Sequence, residues 1–307
     1  MKPNFIMMVG VPASGKSSVA EYLADVFGAK IHSSDSLRNE LFGTESHMQD
    51  NDKLFAELHK RIKADLSKGT SSIYDACNIN YKKRKAFLQE ISKFNPHTIC
   101  VLVPKSFEDC IADNAKRERN VPDEVIRRMI CNFWVPQSYE GWDEIQIVAP
   151  FNQGKSNLAE LRDFYNNFDQ ENKHHSLSLG SHMAETTNYL KNNHGIEEGS
   201  NLHLAAFWHD MGKPFTKTFE RKNGTSDGNA HYYNHHNVGA YQFLVMANEY
   251  EAEASTMLSI CNFIQWHMRP YDIERSGGNG RDKFIKLVGR EFYDDLMLLH
   301  EADKAAH

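Results

Sequence analysis

The segment from Gly10 to Ser17 reads G-V-P-A-S-G-K-S and combines two glycines with a lysine and a hydroxyl group at fixed spacing. It follows an apolar run and precedes an amphipathic stretch, so we expect a strand to lead into a loop and a helix to leave it. In that setting backbone N–H groups surround phosphates, and the positive end of the helix strengthens the attraction. We therefore predict an ATP site, with Lys16 on the β- and γ-phosphates and Ser17 on Mg²⁺. The predicted phosphate-binding residues are Gly10, Ser14, Gly15, Lys16 and Ser17.

A carboxylate and several basic residues follow this loop. Asp35 ends the next apolar run, and strand ends of a parallel sheet open on one crevice, so Asp35 is a candidate base for an acceptor hydroxyl group. Arg38 lies three residues on, on the same helical face, where it could hold an acceptor phosphate. Each residue also has a structural interpretation, as a helix cap for Asp35 and as a solvated charge for Arg38. A basic cluster from Lys116 to Arg119 precedes Pro122, where a lid would bring an arginine to the transferred phosphoryl group.

A second set of residues suggests metal chemistry. The segment 202–215 begins with an apolar run, and an imidazole and a carboxylate follow that run side by side at His209 and Asp210. A lone histidine on an apolar helix is most often a hydrogen-bonded core residue, but several buried imidazoles would each need a partner, and one shared cation satisfies them together. Mixed nitrogen and oxygen ligands suit Mn²⁺, Co²⁺, Ni²⁺, iron or Zn²⁺, and the sequence does not choose among them. The candidate ligands are His182, His209, Asp210, His235, His267 and Asp303.

The composition limits the class of protein. The chain has 307 residues, about twice the length of a common domain, with 40% hydrophobic residues, 25% charged residues and a net charge of -6. Of its 16 histidines, four precede residue 150 and twelve follow residue 170, which favours a metal site in the second half. No apolar run is long enough for a transmembrane helix, and the N-terminal run is too short for a signal peptide. Five cysteines without a CxxC pair favour a reducing compartment, so we expect a cytoplasmic protein without a membrane partner.

The pattern of elements divides the chain into two domains. Short apolar runs alternate with helical patterns in the first half, which predicts an α/β domain with a parallel sheet. The predicted strands are 5–10, 29–35, 71–76, 98–104 and 144–150, with helices at 17–27 and 52–67 among them. The second half predicts an all-α domain with helices at 157–168, 181–193, 201–211, 233–249, 252–267 and 281–305. Proline, glycine, asparagine and serine interrupt the periodicity at 149–157, and we place the boundary between domains 1–151 and 152–307.

The motifs of the first half resemble a known family. The order of phosphate loop, D-x-x-R, D-x-x-N-x-x-x-x-x-R and K-R-x-x-x-V-P is similar to the kinase domain of phage-type 5′-OH polynucleotide kinases, which have an adenylate-kinase-like P-loop fold. The resemblance covers about residues 1–150 and implies transfer of the ATP γ-phosphate to a 5′-hydroxyl. It implies that Asp35 is the general base, Arg38 contacts the acceptor's 3′-phosphate, and Arg117 is a lid arginine on the ATP phosphates. Asp75 and Arg84 match motif positions without an assigned role.

The motifs of the second half resemble another family. The order H…HD…H…H…D resembles the HD phosphohydrolase superfamily over about residues 155–307, and in particular the HD domain appended to tRNA nucleotidyltransferases. The resemblance implies that His182, His209, Asp210 and Asp303 are the core metal ligands. His235 and His267 match histidines that line the site or bind a second ion, with His235 preferred over His236 by spacing. Lys213 would meet a substrate phosphate, and the polar insertion 218–230 would be a lid or recognition loop.

Together the two resemblances imply an enzyme that heals the ends of a broken RNA or DNA strand. The kinase would phosphorylate the 5′-hydroxyl, and the HD domain would remove a 2′,3′-cyclic, 2′- or 3′-phosphate, leaving ends for a separate ligase. One alternative is a small-molecule nucleoside or sugar kinase fused to an HD nucleotidase, which the basic clusters and Arg38 disfavour. Another is a nucleotide-sensing protein with degenerate sites, which the intact Lys16, Ser17 and Asp35 and the full ligand set disfavour.

Overall fold

A computed structural model describes residues 2–45, 49–148, 157–171 and 177–306. The chain divides into two compact units, one of residues 1–129 with 136–153 and one of residues 130–135 with 154–307. The short segment 130–135, which we predicted within the first domain, therefore groups with the second unit. The predicted boundary at 151/152 lies within 149–156, outside the described residues, and stays a prediction.

The first unit is a five-stranded parallel sheet with helices in the connections. The strand order is β2-β3-β1-β4-β5, and every neighbouring pair is parallel. In chain order its elements are β1 Asn4–Val9, α1 Lys16–Phe27, β2 Lys30–Ser33, α2 Ser34–Phe42, α3 Asn51–Ser67, β3 Ser72–Asp75, α4 Tyr81–Ile91, β4 His97–Leu102, α5 Phe107–Asn114, α6 Asp123–Cys131 and β5 Glu144–Ile147. The last residues of α6 belong to the second unit.

The central strand β1 has an almost uninterrupted apolar sequence because a parallel sheet buries both faces. Phe5 pairs in register with Ser72 of β3 on one side and with Thr98 of β4 on the other. Ile6 and Met8 pack with Ile73 of β3, Val101 of β4 and residues of α1 in a fully buried cluster. All five predicted strands are confirmed, and the α/β class with them. The sheet brings the carboxyl ends of β1, β2, β3 and β4 to one edge.

The second unit is helical. In chain order its elements are α7 Leu158–Asn167, α8 Leu179–His194, α9 Asn201–Trp208, α10 Lys213–Thr216, β6 Lys217–Glu220, β7 Ser226–Tyr232, α11 His235–Glu249, α12 Ala254–Trp266, α13 Arg269–Arg275, α14 Arg281–Val288 and α15 Arg290–Ala305. The main packing pairs are α11 with α12, α8 with α15, α8 with α9, and α9 with α12. No helix among the described residues is long and apolar enough to cross a bilayer.

Two features of the second unit differ from the sequence prediction. The single helix predicted at 281–305 is two helices, α14 and α15, because Gly289 has a backbone φ of 94° and a ψ of 156° that break the helix. The polar insertion predicted at 218–230 forms most of an antiparallel hairpin, β6–β7. This hairpin is an exception to an otherwise helical domain, and short polar strands give little periodic signal.

Candidate active sites

The loop between β1 and α1 is the candidate phosphate site. Gly10 directly follows β1. A Cβ atom at this position would lie 2.8 Å from the Val103 carbonyl oxygen, so only glycine fits there. The buried Lys16 side chain donates from Nζ to the Val11 carbonyl oxygen at 2.7 Å. Ser14 Oγ is fully buried and has no hydrogen-bond partner in the described part of the chain, a polar atom that a phosphate oxygen would satisfy. The loop therefore fits a nucleotide phosphate through its backbone, its hydroxyl group and its ammonium group.

Asp75 gives the loop a candidate magnesium partner. Because β3 lies beside β1, Asp75 at its carboxyl end reaches α1, and its Oδ2 accepts a hydrogen bond from Ser17 Oγ at 3.0 Å. Burial raises the pKa of Asp75, while the charge of Lys16 and the Ser17 hydroxyl group oppose that rise. A hydroxyl group and a carboxylate side by side are the oxygen donors that Mg²⁺ prefers next to phosphates. The sequence had left Asp75 without a role.

Asp35 lies at the same edge and is held by two arginines. Its Oδ1 accepts from Arg38 Nη1 at 2.8 Å and from Arg119 Nη1 at 3.0 Å. The Asp35 side chain keeps 41% of its surface exposed, whereas Arg38 is buried. Ser33, not Asp35, caps α2, and Arg38 is not a solvated charge, so both structural interpretations are wrong. The charge of Asp35 also contributes to the raised pKa of Asp75, which puts the two carboxylates near each other.

Arg117 is exposed. Burial raises the pKa of the Cys77 thiol, the charges of Asp35 and Asp75 raise it further, and those of Lys16 and Arg117 lower it. All four charges thus act on one thiol, whose residue accepts at its backbone carbonyl oxygen from the Gly10 N–H at 3.1 Å. The lid role of Arg117 stays a prediction.

Arg84 is a structural residue. It is buried at 1% exposure, and it donates from Nε and Nη2 to the two carboxylate oxygens of Glu140 at 2.8 and 2.6 Å. A third bond runs from its Nη1 to the Asn78 carbonyl oxygen at 2.8 Å, and Trp142 Nε1 donates to Glu140 at 3.1 Å. The motif position that Arg84 occupies thus supports the turn after β3, and its guanidinium group is not open to substrate.

The six candidate metal ligands of the second unit lie close together. They come from the ends of α8, α11, α12 and α15 and from the turn after α9. His182 lies in the first turn of α8, His209 ends α9, and Asp303 lies near the end of α15. His182 Nε2 is 3.3 Å from His209 Nε2, 3.3 Å from Asp210 Oδ2 and 3.1 Å from Asp303 Oδ1. All four side chains are buried, and their donor atoms meet the spacing of a single metal site.

A second cluster shares Asp210. Its other oxygen, Oδ1, is 3.2 Å from His235 Nε2 at the start of α11 and 3.6 Å from His267 Nε2 at the end of α12. The two imidazole nitrogens are 3.1 Å apart. Gly212 makes this possible, because a Cβ atom there would lie 2.2 Å from the His235 carbonyl oxygen. His236 belongs to neither group of ligand atoms; its ring centre lies 5.7 Å from that of His235 and 6.4 Å from that of Trp134, and burial lowers its pKa to about 3.

The hydrogen bonds of the imidazoles fit metal ligation. Each Nδ1 faces a backbone carbonyl oxygen: Ala306 for His182, Ala206 for His209, Tyr232 for His235 and Ile264 for His267, at 2.7 to 3.1 Å. A carbonyl oxygen only accepts, so each Nδ1 carries a proton, and Nε2 is the ring atom that faces the neighbouring imidazole. Two lone pairs 3.1 to 3.3 Å apart repel unless a positive charge lies between them. This donor set fits a divalent cation in each cluster.

The electrostatics of the clusters favour positive charge. Burial alone would lower the pKa of His209, but Asp210 and Asp303 raise it to about 10. Burial alone would raise the pKa of Asp303, but hydrogen bonds from His182 and His209 hold it well below its usual range. Burial and the neighbouring histidines lower the pKa of His267 well below its usual value. The two carboxylates thus stabilise a cation at this point, whether a proton or a metal ion.

Lys213 and two tyrosines border the metal-ligand clusters. Lys213 Nζ lies 2.6 Å from Asp210 Oδ2 and donates to Gln170 Oε1 at 2.7 Å, with the Tyr232 ring 5.6 Å away. On the opposite carboxylate, Tyr271 donates its hydroxyl group to Asp303 Oδ2 at 2.9 Å. Burial and the charge of Asp303 raise the pKa of Tyr271, so it remains a donor at neutral pH. Lys213 is therefore within reach of a phosphate bound beside Asp210.

Comparisons with known protein families also divide the chain into two domains. Residues 5–136 match the AAA domain family, and residues 173–306 match the HD domain family. The chain is therefore a P-loop domain of kinase type followed by an HD domain. A P-loop kinase implies ATP and Mg²⁺, and an HD domain implies a divalent metal ion.

Three solved structures are similar to parts of the chain. The Pnkp1/Rnl/Hen1 RNA repair complex matches at 19% identity over 43% of this chain and 44% of that chain, with a TM-score of 0.40. A gluconokinase from Sinorhizobium meliloti matches at 19% identity over 52% of this chain and 86% of that one, with a TM-score of 0.36. Kti12 from Chaetomium thermophilum, in complex with ADP-AlF3, matches at 15% identity over 48% of this chain and 90% of that one, with a TM-score of 0.40. None of these similarities assigns a substrate to this chain.

Sequence reasoning missed several residues of the two sites. Arg119 was recognised only as part of a basic cluster, although its contact with Asp35 joins positions 84 residues apart. Tyr271 and Gln170 carried no motif, because each contacts its partner only through the packing of separate segments. Lys105, three residues after the end of β4, was not considered, although a lysine close to a strand end of a parallel sheet is a recognisable signal.

Proposed function

We propose that this protein is a bifunctional enzyme that heals RNA ends. Its first unit phosphorylates a 5′-hydroxyl end with ATP, and its second removes a 2′,3′-cyclic, 2′- or 3′-phosphate from the other side of a break. RNA is the proposed substrate because a 2′,3′-cyclic phosphate forms only where a 2′-hydroxyl is present. The products, a 5′-phosphate and a 3′-hydroxyl, are the ends that a separate ligase joins.

The arrangement around Asp35 is the single observation that carries the kinase proposal. A half-exposed carboxylate lies near the phosphate loop with two guanidinium groups on the same oxygen atom. In the proposed reaction Asp35 takes the proton of the 5′-hydroxyl, whose oxygen bonds to the γ-phosphorus as the bond to the β-phosphate oxygen breaks. Lys16 and Arg117 balance charge on the phosphates and ADP leaves. Arg38 or Arg119 contacts the acceptor's neighbouring phosphate, which a nucleoside lacks.

In the second unit the proposed reaction is hydrolysis of a terminal phosphate. One divalent cation would be held by His182, His209, Asp210 and Asp303. A second would be held by His235 and His267 together with Asp210, which belongs to both groups. A bound cation supplies Lewis-acid activation of water and of the phosphoryl group. Lys213 is placed to contact a phosphate oxygen, and the Tyr271 hydroxyl group keeps Asp303 oriented. Water adds to phosphorus, one ester P–O bond breaks, and the released ribose oxygen takes a proton. A 2′- or 3′-phosphate needs this step once, whereas a 2′,3′-cyclic phosphate needs it twice, first to open the ring and then to release inorganic phosphate.

One RNA oligomer tests both activities. It carries a 5′-hydroxyl and a 2′,3′-cyclic phosphate, and is incubated with the protein, ATP, Mg²⁺ and Mn²⁺ or Ni²⁺ before mass spectrometry. We expect a gain of phosphate at the 5′ end and a loss at the other. Parallel reactions contain the DNA oligomer of the same sequence, nucleosides and mononucleotides. Turnover of the small molecules with both RNA ends unchanged would contradict the proposal and favour a small-molecule kinase fused to a nucleotidase.

A metal titration tests the second site separately. The protein is treated with a chelator and then dialysed against Mn²⁺, Co²⁺, Ni²⁺ or Zn²⁺, and bound metal is counted by mass spectrometry of the elements. We expect hydrolysis of the terminal phosphate to follow metal content while 5′-phosphorylation, supplied with Mg²⁺, is unchanged. Full hydrolysis in the metal-free protein would contradict the assignment of the clusters.

A further inference from the structure

Lys105 is a second buried lysine beside the phosphate loop. It follows β4, the strand that flanks β1, so it lies at the sheet edge from which the loop departs. Its residue exposure is 7%, an unusual environment for an ammonium group. The pKa of the Cys110 thiol, which burial raises to about 12, is lowered by the charges of both Lys105 and Lys16. Both ammonium groups contact the loop itself, Lys16 at the Val11 carbonyl oxygen and Lys105 at the Ala13 carbonyl oxygen.

The ammonium group of Lys105 contacts the backbone of a strained residue. Its Nζ donates to the Ala13 carbonyl oxygen at 3.3 Å, and Ala13 has a backbone φ of 62°. Residues other than glycine rarely adopt this left-handed conformation, because their Cβ atom crowds the neighbouring carbonyl group. A donor on that carbonyl oxygen fixes the peptide plane between Ala13 and Ser14. Lys105 thus stabilises the conformation that Ala13 disfavours.

The two lysines hold opposite ends of the same turn. Ser14 donates its N–H to the Val11 carbonyl oxygen at 3.3 Å, which closes the turn Val11–Ser14. Lys16 Nζ contacts the first carbonyl of this turn, on Val11, and Lys105 Nζ contacts the third, on Ala13. When phosphates bind, Lys16 has a role on their oxygen atoms, whereas Lys105 remains on the outer carbonyl.

Asp113 holds Lys105 in place and connects it to the basic segment. Asp113, in the last turn of α5, pairs with Lys105 and with Lys116, at 2.7 Å for the latter. These hydrogen bonds hold the pKa of Asp113 at about 2. The next residue, Asn114, exchanges two hydrogen bonds with the backbone of Val121 and closes the segment that carries Arg117 and Arg119.

We infer that Lys105 is a positioning residue for the nucleotide: it keeps Ala13 left-handed and the loop in its phosphate-binding shape, while Asp113 holds Lys105 at the base of the basic segment. The inference rests on the ATP site of the proposed function. It does not depend on the identity of the acceptor. It differs from the role of Lys16, because Lys105 acts through the backbone and touches no reacting atom.

Nucleotide binding tests the inference without any acceptor. Binding of Mg·ATP to the full chain is measured by calorimetry for the wild type, Lys105→Met, Ala13→Gly, the double variant and Lys105→Arg. We expect Lys105→Met to weaken binding by roughly tenfold or more, because one charge-assisted hydrogen bond to the loop is lost. Glycine adopts a positive φ without strain, so Ala13→Gly should restore most of the affinity in the Lys105→Met background and change the wild type by less than about threefold. Lys105→Arg, which retains a donor and a charge, should recover part of the affinity.

Lys116→Met is the matched control, because it removes the other partner of Asp113 without touching the loop. Its affinity for Mg·ATP should stay within about twofold of the wild type. Thermal unfolding of each variant shows whether the domain is intact. If Lys105→Met does not fold, Ala13→Gly alone carries the test, and weaker binding there would overturn the inference.

Two results would contradict the positioning role in folded protein. One is Lys105→Met that binds Mg·ATP as the wild type does. The other is a double variant that binds Mg·ATP no more tightly than Lys105→Met does. That result would indicate that the charge of Lys105 acts directly on the phosphates. A wild type that binds no Mg·ATP would refute the nucleotide site itself, and binding of ATP without phosphorylation of any RNA end would refute only the acceptor.

Discussion

The two candidate sites are both polar, but the first is partly exposed at Asp35 and the second is buried, and their polar groups have different kinds of partner. In the first unit Lys16, Ser17 and Asp35 each hydrogen-bond to another group of the protein. In the second unit the imidazole Nε2 atoms of His182 and His209, and of His235 and His267, face each other at 3.3 and 3.1 Å. The first site is therefore shaped by the backbone and its neighbours, whereas the second converges on positions where a shared cation belongs. Changes in the second site should consequently act through metal binding, and changes in the first through the substrate.

Asp210→Ala should have the largest effect, because Asp210 is the one residue that both metal-ligand clusters share. We expect metal content to fall and phosphate removal to drop well beyond the roughly 10- to 100-fold that is lost when a residue that only orients a metal ligand is changed. Phosphorylation of the 5′ end should be unchanged. Asp272→Asn, at an exposed carboxylate of α13, serves as the control and should retain bound metal. Normal metal content in Asp210→Ala would refute the shared site.

Asp35→Asn should reduce 5′-phosphorylation by about 10²- to 10⁴-fold, the range for loss of a general base. The effect should fall on kcat, because ATP binding depends on the loop, and the KM for ATP should change little. Phosphate removal and metal content should match the wild type. A large rise in the KM for ATP with kcat unchanged would show that Asp35 acts in nucleotide binding.

Arg119→Ala should have a smaller effect on the same reaction. It removes one of the two guanidinium groups on Asp35 Oδ1, at 3.0 Å, while Arg38 remains. Loss of a hydrogen bond between charged groups costs about 1.5 to 3 kcal/mol, which is roughly a 10- to 100-fold loss of rate. Arg128→Ala is the control from the neighbouring basic residues of α6. Equal rates for Arg119→Ala and the wild type would remove Arg119 from the acceptor site.

His236→Gln should have the smallest effect and makes the clearest contrast with His235→Gln. His235 Nε2 lies 3.2 Å from Asp210 Oδ1, whereas the His236 ring packs on Trp134 and does not join either cluster. We expect His235→Gln to lower phosphate removal by about tenfold or more. His236→Gln should stay within about threefold, with any loss appearing in thermal unfolding. Reversed effects would move the second cluster to His236.

Local patterns predicted the fold and the residues that converge in the second unit. The apolar run of β1 followed by G-x-x-x-x-G-K-S indicated the strand, loop and helix together, because these residues are adjacent in the sequence. The six histidines and aspartates proposed as ligands do come together in two clusters, and their role as metal ligands stays a prediction. Contacts between residues that lie far apart in the sequence were not predicted. Arg119 reaches Asp35 across the sheet edge, and the 130–135 segment joins the second unit through Gln265, whose amide group bonds to Phe133 and Val135.

The assignment of Arg84 shows the limit of a motif match. Its position fits a kinase pattern, but the basic residues around it looked alike in the sequence. Only packing distinguishes Arg84, which is buried on Glu140, from the neighbouring exposed lysines Lys82 and Lys83. A buried ion pair of this kind supports the fold, since removing one partner leaves an uncompensated charge.

The most direct test of the whole account compares wild type, Asp35→Asn and Asp210→Ala on a single RNA oligomer with a 5′-hydroxyl and a 2′,3′-cyclic phosphate. Mass spectrometry of the products reads both ends at once. The account predicts that the wild type modifies both ends, Asp35→Asn only the cyclic phosphate, and Asp210→Ala only the 5′-hydroxyl. Loss of both activities in either folded variant, or no change at either end in the wild type, would contradict two independent sites for the healing of RNA ends.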